Sequence, residues 1–293
     1  MFRNLNASPK NLFEYLSSHT KLNAMHFLLL FLSVLFLQTN AQQQDSVKTI
    51  STVMETRFLN GNGKGILKDG SVYEGQWKNS KREGFGKCSY KDGAKYEGNW
   101  TNDLQNGKGT FFYKDGDKYT GDFVNNAVQG TGIYIFKTGD KYEGAFKQNM
   151  LDGYGIYYFK NGDRYEGEYL AGKRSGKGKY YFTDGKVYTG TFLNNMKHGS
   201  GTMKGANGDK YIGEFRNNIR TGKGAMIFIN GDKYEGDFVN GQFEGKGIYS
   251  WANGEKYDGT WKNSLRDGEG KFTYTDGKTE VKKYLNGEEV VKK

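Results

Sequence analysis

From residue 61 to residue 279 apolar and polar positions alternate in short runs, and the runs recur every 23 residues. One copy, residues 141–163, reads K-Y-E-G-A-F-K-Q-N-M-L-D-G-Y-G-I-Y-Y-F-K-N-G-D. In its first half Tyr142, Gly144 and Phe146 fall on one side of an extended chain, and Lys141, Glu143, Ala145 and Lys147 on the other. In its second half Gly155, Tyr157 and Phe159 oppose Tyr154, Ile156 and Tyr158. Residues 148–153 read as a loop between the halves, and Asn161-Gly162 as the turn into the next copy. Asp-Gly or Asn-Gly stands at that place in eight of nine copies, a strong turn signal. The pattern predicts one β-hairpin per copy and hairpins adding edge to edge. The result is an all-β, elongated, single-layer antiparallel sheet growing by roughly 10 Å per copy.

The phase is strict. Tyr73, Tyr96, Tyr119, Tyr142, Tyr165, Tyr188, Tyr211, Tyr234 and Tyr257 stand 23 residues apart, with glycine 2, 11, 13 and 20 residues after each. These positions hold 36 of the 44 glycines, so the glycine content is architectural and not a mark of disorder. Four residues past each tyrosine comes another ring: Trp77, Trp100, Phe123, Phe146, Tyr169, Phe192, Phe215, Phe238 and Trp261. A period of this size means a stacked array whose stability comes from ring packing between copies and not from one closed core.

These residues resemble the MORN (membrane occupation and recognition nexus) repeat: Tyr-x-Gly-x-Trp/Phe, then Gly-x-Gly, then Asp/Asn-Gly. The resemblance covers residues 61–279 and implies an elongated sheet of hairpins. It also implies scaffolding, protein binding or contact with acidic phospholipids. Two departures stand out. Residues read as hairpin loops carry Leu104, Met150, Leu151, Met196, Ile219, Phe243 and Leu265, where the family has basic residues. The face away from the rings turns apolar in the middle copies, at Phe112, Ile133, Ile135, Ile156, Tyr158, Tyr181 and Ile227.

The ends differ from the array. Residues 1–41 read as a leader, whose apolar run at 27–37 forms a short hydrophobic helix too brief to span a bilayer. Thr39 and Ala41 have the spacing of a secretory cleavage site, so the chain is expected to be exported, with an uncleaved N-terminal anchor as the alternative. Residues 42–60 approach the array. Gly61 and Gly63 open it with a half copy, and residues 280–293 close it with a degenerate capping strand.

Composition narrows the chemistry. The net charge is +10, spread along the array without a basic block, which argues against a nucleic-acid groove. Cys88 is the only cysteine, so neither an internal disulfide nor a Cys-based metal site can form. Of three histidines only His198 lies within the array, without a partner for a triad or a zinc site. Asp117, Asp140, Asp163, Asp209 and Asp232 recur with the period beside Glu74, Glu97, Glu143, Glu166 and Glu235, and read as solvated charge ladders. No cofactor, metal, catalytic group or small-molecule substrate is expected.

The expectation is therefore a non-enzymatic, exported scaffold offering a sheet surface to a protein partner or to another copy of itself. Phe112, Ile133, Ile135, Ile156, Tyr158 and Tyr181 are the candidate contact residues. Peripheral membrane binding through Met150, Leu151 and Phe243 is one alternative. Stacking of surface polysaccharide on open rings is another.

Overall fold

The computed structural model describes residues 60–291. They form one open sheet of 21 strands, from Gly61–Ile66 to Glu288–Glu289, and no helix occurs among the described residues. Each strand pairs antiparallel with the strand next in sequence. The expected N-terminal helix, leader and cleavage site lie outside the described residues.

Within the copy of Tyr142 the strands are Lys141–Lys147 and Met150–Tyr158. Between them stand only Gln148 (φ 47°) and Asn149 (φ 65°), both left-handed, as a two-residue type I′ hairpin turn requires. The six-residue loop expected here is therefore corrected: strand resumes at Met150. The extra residues are absorbed in a bulge. Gly144 pairs with Gly155 and Phe146 with Leu151, so Ala145 faces Asp152, Gly153 and Tyr154 together. At the other end the Gly162 N–H donates to the Phe159 carbonyl at 2.9 Å, and the Phe159 N–H donates to the Asp163 carbonyl at 2.9 Å. Gly162, at φ 91°, closes this turn in a conformation that ordinary residues resist.

Ala171 takes the first left-handed position of its hairpin turn at φ 47°, where most other copies carry Asn. Ala171→Asn is expected to stabilise the chain by about 1 kcal/mol, read as a higher denaturant midpoint with unchanged slope.

The sheet is not flat. Tyr142 and Phe146 lie four residues apart on one face, which a flat strand would separate by about 13 Å. Their ring centroids are 5.2 Å apart at 90°. Each strand therefore folds toward its rings at the glycine pair, and the rings fill the inside of the crease. A Cβ on Gly144 would strike the Gly155 backbone and the Tyr142 phenol, so side chains are excluded there. Tyr142 Oη closes the crease by donating to the Ala145 carbonyl at 3.0 Å, and all nine tyrosines make the equivalent bond.

The rings form one continuous herringbone. Tyr142 meets Phe146 of its own copy and Tyr169 of the next edge-to-face, at 5.2 Å in both cases. A second file of rings runs beside it: Phe136, Tyr157, Phe159 and Tyr180 follow one another at 5.7, 4.5 and 5.6 Å. Cys88 sits in this second file and is buried as a hydrophobe, with its thiol pKa raised by burial.

Candidate protein-docking face

The face away from the crease is built by residues just before and after each tyrosine, and by the end of the second strand. Register places them in two parallel rows. Lys95 pairs with Phe112, Phe112 with Lys118, Lys118 with Ile135, Ile135 with Lys141, Lys141 with Tyr158, Tyr158 with Arg164, and Arg164 with Tyr181. In the neighbouring row Thr120 pairs with Ile133, Ile133 with Glu143, Glu143 with Ile156, and Ile156 with Glu166. All six residues expected as partner contacts thus come together on one face.

Their surroundings differ from the bare apolar band that the sequence suggests. Cations stand between the apolar residues and lean over the rings. Lys141 Nζ lies 4.3 Å from the Tyr158 centroid and Arg164 Cζ 4.2 Å from that of Tyr181. Glu143 and Glu166 hold these two cations at 2.6 and 2.9 Å. Tyr158, Tyr181 and Ile156 are consequently half-buried, whereas Phe112, Ile133 and Ile135 remain 40%, 40% and 42% exposed. Over the crease beside them lies a shallow trough of about 800 Å³, edged by Phe85, Lys108, Thr110, Thr131, Ile133 and Glu143.

Two other expectations meet corrections. Leu151 and Phe243 lie on strands and face the rings, not the tips of loops. Leu151 packs against the core, and Phe243 stacks on Tyr234 at 3.7 Å and 8°. The tips are Gln148-Asn149 and Asn240-Gly241. Met150, paired with Lys147, is half-buried on the opposite face. The rings on which a polysaccharide would stack are buried, from Tyr73 at 0% to Trp77 at 8%, which removes the basis for sugar stacking inside the crease. His198 lies on the strand Met196–Lys204. Among the described residues no group of three or more His, Cys, Asp or Glu is placed to hold a metal ion.

The recurring aspartates have a role that pattern reading missed. Asp140 Oδ1 accepts the Lys160 N–H at 2.7 Å, and its Oδ2 accepts the Tyr157 hydroxyl at 3.0 Å. Asp117, Asp163 and Asp232 repeat both bonds with Lys137 and Tyr134, Thr183 and Tyr180, and Ala252 and Tyr249. They stitch each turn to the next copy and are not a solvated ladder. The glutamates do form surface pairs, as in Lys87 with Glu97 at 2.8 Å. Arg82 and Arg266 were also missed: they enter the ring face and cap Trp100 and Tyr284 at 4.1 and 4.0 Å.

A glycine-creased array of antiparallel hairpins, locked to one another by rings and at five turns by aspartates, defines a β-repeat protein. The MORN repeat model matches nine consecutive segments, from 73–95 to 257–279, and the chain belongs to the MORN repeat family. No curated protein matches it. Among solved structures it is similar to the TCP10 domain of Danio rerio CPAP in complex with a peptide of STIL. The identity is 13%, over 79% of this chain and 98% of that one, with a TM-score of 0.44. It is also similar to the SAS-4 TCP domain of Drosophila melanogaster in complex with a proline-rich motif of Ana2. There the identity is 14%, over 60% of this chain and 83% of that one, with a TM-score of 0.32.

Proposed function

We propose that the chain is a non-catalytic scaffold, exported by its apolar leader, that docks a partner protein or a second copy of itself on the face opposite the rings. One observation carries the reading. Phe112, Ile133 and Ile135 are gathered in adjacent rows on a face that no second layer of the described residues covers. Apolar side chains set among cations suit an extended segment that buries apolar residues and places acidic ones against Lys95 and Lys118. The half-buried positions of Leu151 and Phe243 favour this reading over insertion of loop tips into a bilayer.

A photo-crosslinking residue at Ile135, compared with one at Thr273 on the same face near the array's end, tests it in the native compartment. Efficient crosslinking from Ile135 and little from Thr273 is expected. The mass of the adduct then separates a second copy from a different protein. Equal or absent crosslinking at both sites refutes the docking face.

A further inference from the structure

The second file of rings is interrupted once, and the interruption has the chemistry of a site. Seventeen residues after the tyrosine, eight copies carry an aromatic residue, including Phe182 and Phe228 on either side; the copy of Tyr188 carries Gly205. The ring missing there belongs between position 203 of the same copy and position 226 of the next, as Phe159 lies between Tyr157 and Tyr180 at 4.5 and 5.6 Å. Both of those flanking positions are methionine. Methionine is flexible and polarisable, and its thioether packs favourably against an aromatic ring. A cavity of about 370 Å³ results, lined by Met203, Gly205, Asp209 and Met226, with Lys197 and Arg220 at its edge.

Asp209 carries the argument further. Its Oδ1 accepts the Ile229 N–H at 2.8 Å, the same stitch that Asp140, Asp163 and Asp232 make. The carboxylate is therefore aimed as theirs are. In Asp163 and Asp232 the Oδ2 accepts two donors, an asparagine amide and a tyrosine hydroxyl. Asp209 Oδ2 has the asparagine bond, from Asn207 at 2.7 Å, but Met226 stands where the tyrosine would be. The copy thus lacks one ring outright and one phenol hydroxyl, and it keeps the acceptor for that hydroxyl.

We propose that this cavity binds a phenolic ring, borne by a tyrosine side chain or by a small molecule. The ring lies between Met203 and Met226 over Gly205, and its hydroxyl donates to Asp209. Lys197 and Arg220 already face neighbouring rings, Lys197 Nζ at 5.7 Å from Phe215 and Arg220 Cζ at 5.4 Å from Tyr211. Both favour an electron-rich ring beside them. A phenol satisfies cations and carboxylate together. A benzoate would meet Asp209 as a like charge, and a bare phenyl group would leave it without its donor.

The test titrates the intact chain with p-cresol, toluene, benzoate, N-acetyl-tyrosinamide and N-acetyl-phenylalaninamide, followed by ligand-observed NMR. Each phenol is expected to bind at least about tenfold more tightly than its phenyl counterpart, since a site built around a hydroxyl rejects the analogue lacking it. Binding of p-cresol alone identifies a small-molecule phenol as the occupant, and binding of the tyrosine amide as well identifies a protein-borne one. Gly205→Phe and Met226→Tyr install residues that equivalent positions of other copies already carry, so the array keeps its fold. Both should abolish binding and leave the thermal midpoint equal or higher. Equal affinity for phenol and phenyl, no binding by either phenol, or full binding in Gly205→Phe overturns the proposal.

Discussion

Gly144→Ala is expected to break the array's unfolding into two transitions. The added Cβ meets the Gly155 Cα, a backbone atom, as well as the Tyr142 phenol. The ring could swing aside, but the backbone cannot. Gly155 is held by pairing to Gly144 on one side and Gly167 on the other. Opening the crease enough to admit the methyl group separates Tyr142 from Phe146 and Tyr169, and the cost is about 3 kcal/mol. In a linear array each copy leans only on its neighbours, so a defect of that size uncouples the two ends. Trp77 and Trp100 report on one side of the defect, and Trp251 and Trp261 on the other. Their fluorescence should change together in the parent chain and at separate denaturant concentrations in the variant. Gly254→Asn is the control. Gly254 is left-handed at φ 95° with nothing within 4 Å of an added Cβ, a place that asparagine tolerates. That variant should unfold in one step near the parent midpoint. A single coincident transition in Gly144→Ala would show that the glycine pair is not what holds the crease.

The crease rests on contacts between strands that the alternation within one strand does not encode. The alternation around Tyr142 gave the two faces and the strand polarity, and Asp-Gly or Asn-Gly marked one of the two turns. The other turn is carried by sequences as different as Gln148-Asn149, Ala171-Gly172 and Asn194-Asn195, which share a backbone conformation more than a composition. The bulge that follows sets three residues against one and interrupts regular pairing beside Leu151 and Phe243, which leaves this stretch with the look of a loop. Both then look like exposed loop residues, although they face the rings. Pairing also shows the docking rows to be mixed. Strand-to-strand register, not spacing along the chain, sets Lys141 beside Tyr158 and Arg164 beside Tyr181. The aspartates were hidden for a similar reason. Their partners lie 17 and 20 residues ahead in the next copy, beyond any local motif. Once that bond pattern is known, Gly205 and Met226 can be read from the sequence as the copy that breaks it.

The array is also expected to unfold cooperatively in mild alkali, between about pH 10.5 and 11.5, through its tyrosines. Burial is the main cause raising these phenols. Tyr73, Tyr188 and Tyr211 are pushed up to about 12, and Tyr96, Tyr119, Tyr142, Tyr165 and Tyr234 well above the ordinary value. An unfolded tyrosine titrates near 10. Below that pH both states hold the proton and stability is independent of pH. Above it the unfolded chain loses protons that the folded chain keeps, so the slope of stability with pH turns negative until the folded pKa is passed. Each such tyrosine contributes up to about 1.4 kcal/mol per pH unit, so eight acting together remove up to about 11 kcal/mol per pH unit, comparable with the roughly 5–15 kcal/mol that a typical domain possesses. The share of tyrosinate absorbance that belongs to these buried phenols should therefore rise in one steep step, together with loss of the strand circular-dichroism signal. Raising the salt to about 1 M at pH 8 should leave the fold intact, because the exposed lysine–glutamate pairs contribute little. Gradual titration of these phenols near pH 10 in a chain that stays folded would mean that the crease is open to water.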